Sequence, residues 1–464
     1  MDTALAGGRL QFASNATELI GAAQPPTLEI VVNTTQLILT AATLSLTMAS
    51  LKEPRRVAEI MLSWIGLELV NLVELQTLWA GYGHICAITA RPSTSANGAF
   101  DAAAISPPLQ PDASGSYRLI IKLISPPRAK GGDEGHLRKM LSYEVEQYFY
   151  REIAPRLGDD IAVAKCLAST WDMSHRSRAE QLRGLTATII TDLRPQFPVA
   201  GEKRLVLNRL QVNAALDWLA RYHSSSWASL PDDLERFVLP PFDEEKRRES
   251  GAAPGEPKLW LNGGYTYLAT RRKEYESLCR DEYSEWSEAF CEPVEHSDKS
   301  IAELVADFLT PTGRSFETYI HGDVKSENLF TTQAGDKVAF FDFQYAGLGV
   351  GACDLAKLFT CSVPLEMLTH HEDIPDQLPM RKGERTLLEQ YRQTLLNGRP
   401  AVKGPSEYDW DVFVRHWETA LVDWCRFQAS WGFWGNTEWL EARVRSILAD
   451  EGWKNWLKEA TTKN

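Results

Sequence analysis

Positive charge is scarce in this chain. Its 464 residues carry 49 Lys and Arg against 62 Asp and Glu, a formal net charge of −13 with a pI near 5.3. That is the wrong sign for tracking phosphate backbones or anionic lipid, so nucleic acid is not an expected partner. Cysteine is equally thin. The seven residues Cys86, Cys166, Cys279, Cys291, Cys353, Cys361 and Cys425 are scattered, with no CxxC pair and no histidines at zinc spacing. Neither a disulfide framework nor a structural zinc is expected, and a reducing, cytoplasmic setting fits. Long apolar runs are missing too. The one uncharged stretch, Val31 to Leu51, is threaded by Asn33, Thr34, Thr35, Gln36, Thr40, Thr43, Ser45 and Thr47, which argues against a stable membrane span. No basic segment precedes it, and the first 47 residues hold one arginine and no lysine, so neither a secretory signal nor an organellar leader is read there. Residues 1–50 are read as a poorly ordered extension, or the start lies at Met48.

What is present is an ordinary globular composition, 44% hydrophobic and 24% charged, in a chain longer than one hydrophobic core usually supports. From Pro54 the residues Val57, Ile60, Met61, Trp64 and Leu67 form one helical stripe. Strand-like runs follow at Gln76 to Trp79, Ile85 to Ala90 and Tyr117 to Ile124, the first two flanking the turn Gly81-Tyr82-Gly83. A helix is expected over Leu137 to Leu157, with further strands within Ile161 to Ala168 and Leu185 to Ile190. This β-rich part, residues 51–193, would be a small N-lobe. Residues 194–464 read as a large helical C-lobe, beginning with a helix over Leu207 to Trp227. Pro240 to Pro257 looks like a surface insertion, and two short strands, Phe316 to Ile320 and Lys337 to Phe341, each lead into a charged cluster.

Those clusters carry the chemistry. The first is His321-Gly322-Asp323-Val324-Lys325-Ser326-Glu327-Asn328, and the second, Asp342-Phe343-Gln344, begins fourteen residues after Asn328. Phosphoryl transfer from a nucleotide needs a carboxylate to orient the acceptor hydroxyl, a cation on the transferring group and oxygen ligands for Mg²⁺. Asp323, Lys325 and the pair Asn328 and Asp342 supply these in the order the kinase catalytic loop uses. Upstream, Lys122 in the third strand is placed to reach the α- and β-phosphates, and Glu146 in the next helix to hold it. Glu144, two residues away, competes for that pairing, and the choice depends on helix register. Gly81 and Gly83 stand where a loop covering the phosphates belongs.

His321-Gly-Asp with Asn328, then Asp342 and Asp354-Leu355-Ala356, resembles the aminoglycoside phosphotransferase and choline kinase family, and within it the ecdysteroid-kinase-like (CHK kinase-like) branch. Ala220 to Trp227, Gly263-Gly264-Tyr265 with Arg271 and Glu274, and Asp423 to Phe427 with Trp431 are similar to its less specific signatures. The resemblance implies an α+β, bilobal protein-kinase-like fold and transfer of the γ-phosphoryl of ATP to the hydroxyl of a small molecule, with a sterol-like alcohol as the family-level expectation. It implies Asp323 as catalytic base, Asn328 and Asp342 as Mg²⁺ ligands, Lys122 on phosphate, and Ile190 to Leu193, including Thr191, as the segment contacting adenine. Two departures from protein kinases stand out. Gly322 replaces the arginine that pairs with a phosphorylated activation loop, and Gln344 replaces a glycine, which should restrict flipping of the Asp342 element. A non-catalytic nucleotide-binding scaffold and a Ser/Thr protein kinase are the alternatives. The intact Lys122, Asp323, Asn328 and Asp342 weigh against the first, and the lack of an A-P-E element after Asp342 against the second.

Overall fold

The computed structural model describes residues 52–94, 100–127, 132–231, 233–251, 258–295, 297–370, 373–401, 404–405 and 407–462. The expectations for residues 1–50 and for the uncharged stretch ending at Leu51 lie outside them. Residues Pro54–Asn464 form one compact unit. Among the described residues no helix is long and apolar enough to cross a membrane, and all seven cysteines are free thiols.

Helix α1 (Lys52–Ser63) buries Val57, Ile60 and Met61, spaced three and four apart on one face. Its stripe stops earlier than the sequence suggests. Gly66 turns the chain with a positive φ, and Leu67 opens a strand instead. That strand, β1 (Leu67–Thr77), is followed by β2 (Gly83–Pro92), β3 (Tyr117–Ile124), β4 (Cys166–Ser169) and β5 (Thr186–Thr191) in an antiparallel sheet of order β1-β2-β3-β5-β4. Alternation in β3 sends Leu119, Ile121 and Leu123 into full burial and Lys122 to the opposite face, level with Thr188 of β5. Between β3 and β4 runs α2 (Glu134–Tyr148), capped by the Asp133 carboxylate, which accepts from the N–H groups of Gly135 and His136. The helix ends short of Leu157, giving way to a wide turn at Phe149–Ile153 and a tight one at Ala154–Arg156, because Pro155 cannot continue the hydrogen-bond ladder.

The remainder is helical: α3 (Arg209–Ser226), α4 (Pro241–Glu249), α5 (Arg272–Cys279), α6 (Glu285–Cys291), α7 (Ile301–Leu309), α8 (Ala352–Cys361), α9 (Leu365–Leu368), α10 (Lys382–Asn397), α11 (Trp410–Trp431), α12 (Thr437–Leu448) and α13 (Glu451–Thr462). Short strands are set among them. β7 (Glu317–Ile320) pairs with β10 (Gly347–Val350), while β6 (Val199–Ala200), β8 (Leu329–Thr331) and β9 (Val338–Phe340) make a three-stranded sheet. The part of the stretch read as a surface insertion that the structure describes carries a helix docked on α2, and residues 252–257 lie outside the described residues. Within α4, Glu244 is buried, and Arg248 pairs with Glu144 at 2.8 Å. Of the C-terminal tryptophans, Trp417, Trp424, Trp439 and Trp453 are core, whereas Trp431 is half exposed.

Candidate active site

The sheet and α2 bring three charged side chains from distant parts of the chain together. Lys122 Nζ lies 2.6 Å from Glu146 Oε2 and 3.2 Å from Asp342 Oδ1. The register left open in the sequence is resolved by α4: Glu144 points away and is taken by Arg248, which leaves Glu146 to Lys122. Burial works against the Lys122 charge, but the two carboxylates outweigh it and hold the ammonium above its ordinary range. Burial likewise opposes the charge on Asp342, yet Lys122 and the Gln344 amide keep its carboxyl below the usual value.

The second half of the site is a loop held mainly by side chains bonded to its backbone. His321 Nε2 donates to Phe341 O at 2.9 Å, and its Nδ1 accepts from the N–H of Asp323. Burial keeps this imidazole neutral by lowering its pKa, so it braces the loop. Asp354 at the start of α8 accepts from the N–H groups of His321 and Gly322 at 2.7 and 2.9 Å, and His223 of α3, bonded to Tyr391, supports it at 3.1 Å. Gly322 has φ +82, and a Cβ there would collide with Tyr345 O, so the arginine of protein kinases does not fit this turn. Asn328 Nδ2 donates to both O and Oδ2 of Asp323, at 2.8 and 2.9 Å. Lys325 Nζ sits 3.1 Å from Asp323 Oδ2 and 2.9 Å from Glu327. The N–H of Phe341 donates to Asn328 O at 3.0 Å, which ties this loop to Asp342. It is Asp342 rather than residue 344 that adopts the left-handed conformation, φ +65, a region asparagine and aspartate tolerate.

Among the described residues these contacts leave an oxygen of Asp342 and one of Asn328 without a protein donor. Asp342 Oδ1 is committed to Lys122 and Gln344, and Asn328 Nδ2 to Asp323, so Asp342 Oδ2 and Asn328 Oδ1 remain. Two hard oxygen donors of this kind fit Mg²⁺ held largely by nucleotide phosphates. Among the described residues no cluster of three or more His, Cys, Asp or Glu is available as a protein-only cage.

The two glycines sit at the turn joining β1 to β2. Gly83 crosses β3 so closely that a Cβ would strike Leu123 O. Between them Tyr82 is buried against α2, its hydroxyl bonded to His136 Nδ1 at 2.7 Å, so the turn is tethered to the helix that carries Glu146. Thr191, at the end of β5, receives the N–H of Lys165 on its hydroxyl. A cavity of about 1100 Å³ borders Thr191, Leu193, Phe197 and Trp218, so it reaches the segment expected to contact adenine, but none of Lys122, Asp323, Asn328 and Asp342 lines it.

Residues 110–374, more than half of the chain, match the ecdysteroid kinase-like family. The chain belongs to that family. The matched span includes Lys122, Glu146, Asp323, Asn328 and Asp342. A search of curated proteins finds no match. Among solved structures the chain is similar to an ethanolamine kinase of Plasmodium vivax, with 11% identity over 84% of this chain and 84% of that one and a TM-score of 0.36. It is also similar to a macrolide 2′-phosphotransferase of Brachybacterium faecium, with 13% identity, 86% and 95% coverage and a TM-score of 0.36, and to a choline kinase of Streptococcus pneumoniae, with 11% identity, 86% and 95% coverage and a TM-score of 0.35.

In this member of the ecdysteroid kinase-like family an aromatic wall stands beside the loop. Tyr265 packs edge-on to Tyr345 at 4.8 Å and to Phe427 at 5.4 Å, and Phe427 stacks on the half-exposed Trp431. Burial, aided by the Asp323 charge, raises the Tyr265 hydroxyl pKa. Arg271 lies among the rings, 4.5 Å from Tyr265 and 5.1 Å from Trp431, and pairs with Glu274 at 3.1 Å. Asp423 and Arg426 are a buried pair at 2.6 Å, with Arg426 also donating to Thr266 O. Tyr345 is absent from the sequence motifs, and Phe343 stands in them only as a neighbour of Asp342. Phe343 stacks on Phe149 at 3.6 Å, and the only sequence signal for either was adjacency to Asp342.

Proposed function

We propose that the chain is an ATP-dependent small-molecule kinase, a phosphotransferase with an alcohol group as acceptor. Residues 51–193 and 194–464 form the two sides of the nucleotide cleft, with Gly81, Gly83, Thr191 and Leu193 along the nucleotide. The observation that carries this reading is the meeting of Lys122 with Glu146 and with Asp342, the latter 220 residues away in the chain. A charged lysine kept between two carboxylates is suited to the α- and β-phosphates, and one of those carboxylates retains an oxygen for a metal. Mg²⁺ bound by Asp342 and Asn328 would neutralise charge on the phosphates. Asp323 orients the acceptor hydroxyl and accepts its proton, Lys325 stands at the γ-phosphoryl, and the rigid loop supplies positioning without rearrangement. The aromatic wall around Tyr265 and Trp431 suits an acceptor with an apolar body, such as a sterol-like alcohol. A reducing, cytoplasmic setting belongs to the same reading and is supported by the seven free thiols.

Thermal-shift titration with ATP, with and without Mg²⁺, tests the binding half of this reading. The wild type should be stabilised more strongly with the metal present, and Asp342→Ala should lose that difference. Undiminished metal-dependent stabilisation in Asp342→Ala would refute the assignment. The acceptor is then sought by incubating the protein with labelled ATP and a metabolite extract and identifying the molecule that gains phosphate.

A further inference from the structure

Gln344 occupies a junction between α2 and the Asp342 carboxylate. Its Nε2 donates to Asp342 Oδ1, its Oε1 accepts from the Ser142 hydroxyl at 3.1 Å, and its backbone oxygen accepts from Trp260 Nε1 at 2.9 Å. The amide orientation is dictated by its neighbours. An ionised carboxylate can only accept, so the NH₂ must face Asp342, and the carbonyl is then left for Ser142 to donate to. Ser142 is itself buried and sits one turn before Glu146 on α2. The Ser142 hydroxyl shares its single proton between Gln344 Oε1 at 3.1 Å and Lys139 O at 2.8 Å, so the helix that holds Lys122 through Glu146 also reaches Asp342 through Ser142 and Gln344.

We infer that Gln344 is a positioning residue for the metal-binding face of Asp342. A carboxylate on a rotatable bond can present either oxygen, or both, to a cation. With Lys122 and Gln344 both donating to Oδ1, rotation would break two charge-assisted hydrogen bonds at once, so Oδ2 is fixed as the oxygen turned to the metal. The main chain contributes as well. Asp342 is in the left-handed region, and Trp260 pins the carbonyl of residue 344, so the turn that carries the carboxylate is held from both ends. Gln344 thus does more than resist rearrangement of the turn: it selects the carboxylate oxygen and couples that choice to the position of α2.

This inference rests on the reading of Asp342 as a Mg²⁺ ligand, and its test separates the two. Nucleotide affinity is measured by titration with ATP in EDTA and again in Mg²⁺, for the wild type, Gln344→Ala, Gln344→Glu and Ser142→Ala. In EDTA all four should bind alike. The tightening produced by Mg²⁺ should shrink about tenfold or more in Gln344→Ala, the scale of a lost hydrogen bond to a charged group. It should shrink further in Gln344→Glu, which keeps the shape but sets a second acceptor against Asp342, and less in Ser142→Ala, which only unties the far end. If Gln344→Ala does not fold, the graded response of the other two carries the same decision. Equal Mg²⁺ tightening in all folded variants, or a loss of melting temperature that is the same with and without metal, overturns the positioning role while leaving Asp342 as ligand. A wild type whose affinity ignores Mg²⁺ overturns the ligand assignment and the inference with it.

Discussion

At Asp323 one carboxylate oxygen carries both contacts: Asn328 Nδ2 at 2.9 Å and Lys325 Nζ at 3.1 Å reach Oδ2. In the proposed function the other oxygen would face the acceptor hydroxyl, while the main chain is locked by His321 and Asp354. This arrangement makes a sharp forecast for Asp323→Asn, which preserves shape and leaves Lys122, Asn328 and Asp342 in place. ATP affinity should persist, whereas phosphoryl transfer should fall by about 10²- to 10⁴-fold, the usual contribution of a positioned general base. Transfer rate and ATP dissociation constant measured on one preparation decide it. If Asp323 only shaped the turn after His321, melting temperature and ATP binding would fall together, and near-normal turnover would take it out of the mechanism. Lys325 bridges Asp323 and Glu327, and both carboxylates raise its pKa against the effect of burial, so it remains a cation throughout the working pH range.

Between elements, one tie in the helical part is polar and fully buried. Glu384 of α10, fully buried, accepts from Trp417 Nε1 of α11 at 2.8 Å and from Arg443 Nε of α12 at 3.1 and 3.0 Å. Removing the acid strands a buried guanidinium, so Glu384→Ala should cost about 3–5 kcal/mol of stability, whereas replacing the pair together with apolar residues of similar volume should cost much less. Denaturant midpoints of the single and double variants check this. Such ties are also where reading the chain linearly stops. The helices α1 and α3 and the strand β3 were legible because burial of one face imposes a short-range period. Lys122, Asp323, Asn328 and Asp342 could be singled out because the kinase motif that they resemble sets residue types at near-fixed spacing, and the structure brings Lys122 to Asp342 and Asn328 to Asp323. Glu384 and Arg443, 59 residues apart, have no local signature. Glu146 could not be separated from Glu144 without knowing that Arg248 docks nearby, and α4 itself was hidden by a composition that reads as solvent-exposed. Gln344 was visible only as a departure from glycine, since its partner Ser142 lies 202 residues away.

For the molecule as a whole, pH sets two effects against each other. With a net charge of −13 at neutrality, acidification toward the pI near 5.3 relieves self-repulsion and favours the folded state. Exposed charges contribute about 0–1 kcal/mol per pair and are screened at physiological salt, so this gain is shallow. Opposing it is His416 of α11, buried against Phe316, Phe308 and Trp456, with the Tyr408 hydroxyl on Nδ1. Burial, reinforced by the Arg314 guanidinium, pushes its pKa down to about 3. The unfolded chain then binds a proton at this residue near pH 6.5 that the folded chain refuses, so its stabilising contribution is complete above that pH and drains away as pH falls toward 3. Between pH 7.5 and 5 the loss is about 2 kcal/mol. His321, whose pKa burial also lowers, adds to it in the same direction. The His416 and His321 contributions should therefore fall from pH 7.5 to 5, while Glu146, whose pKa burial raises to about 7, takes up a proton in the folded state over the same interval and works on the side of the shrinking net charge. Urea titrations at the two pH values, on the wild type and on His416→Gln, test the source. The variant keeps a polar partner for Tyr408 but cannot titrate, so it should lose about 2 kcal/mol less than the wild type over this interval, and equal losses in both would clear His416 as the cause.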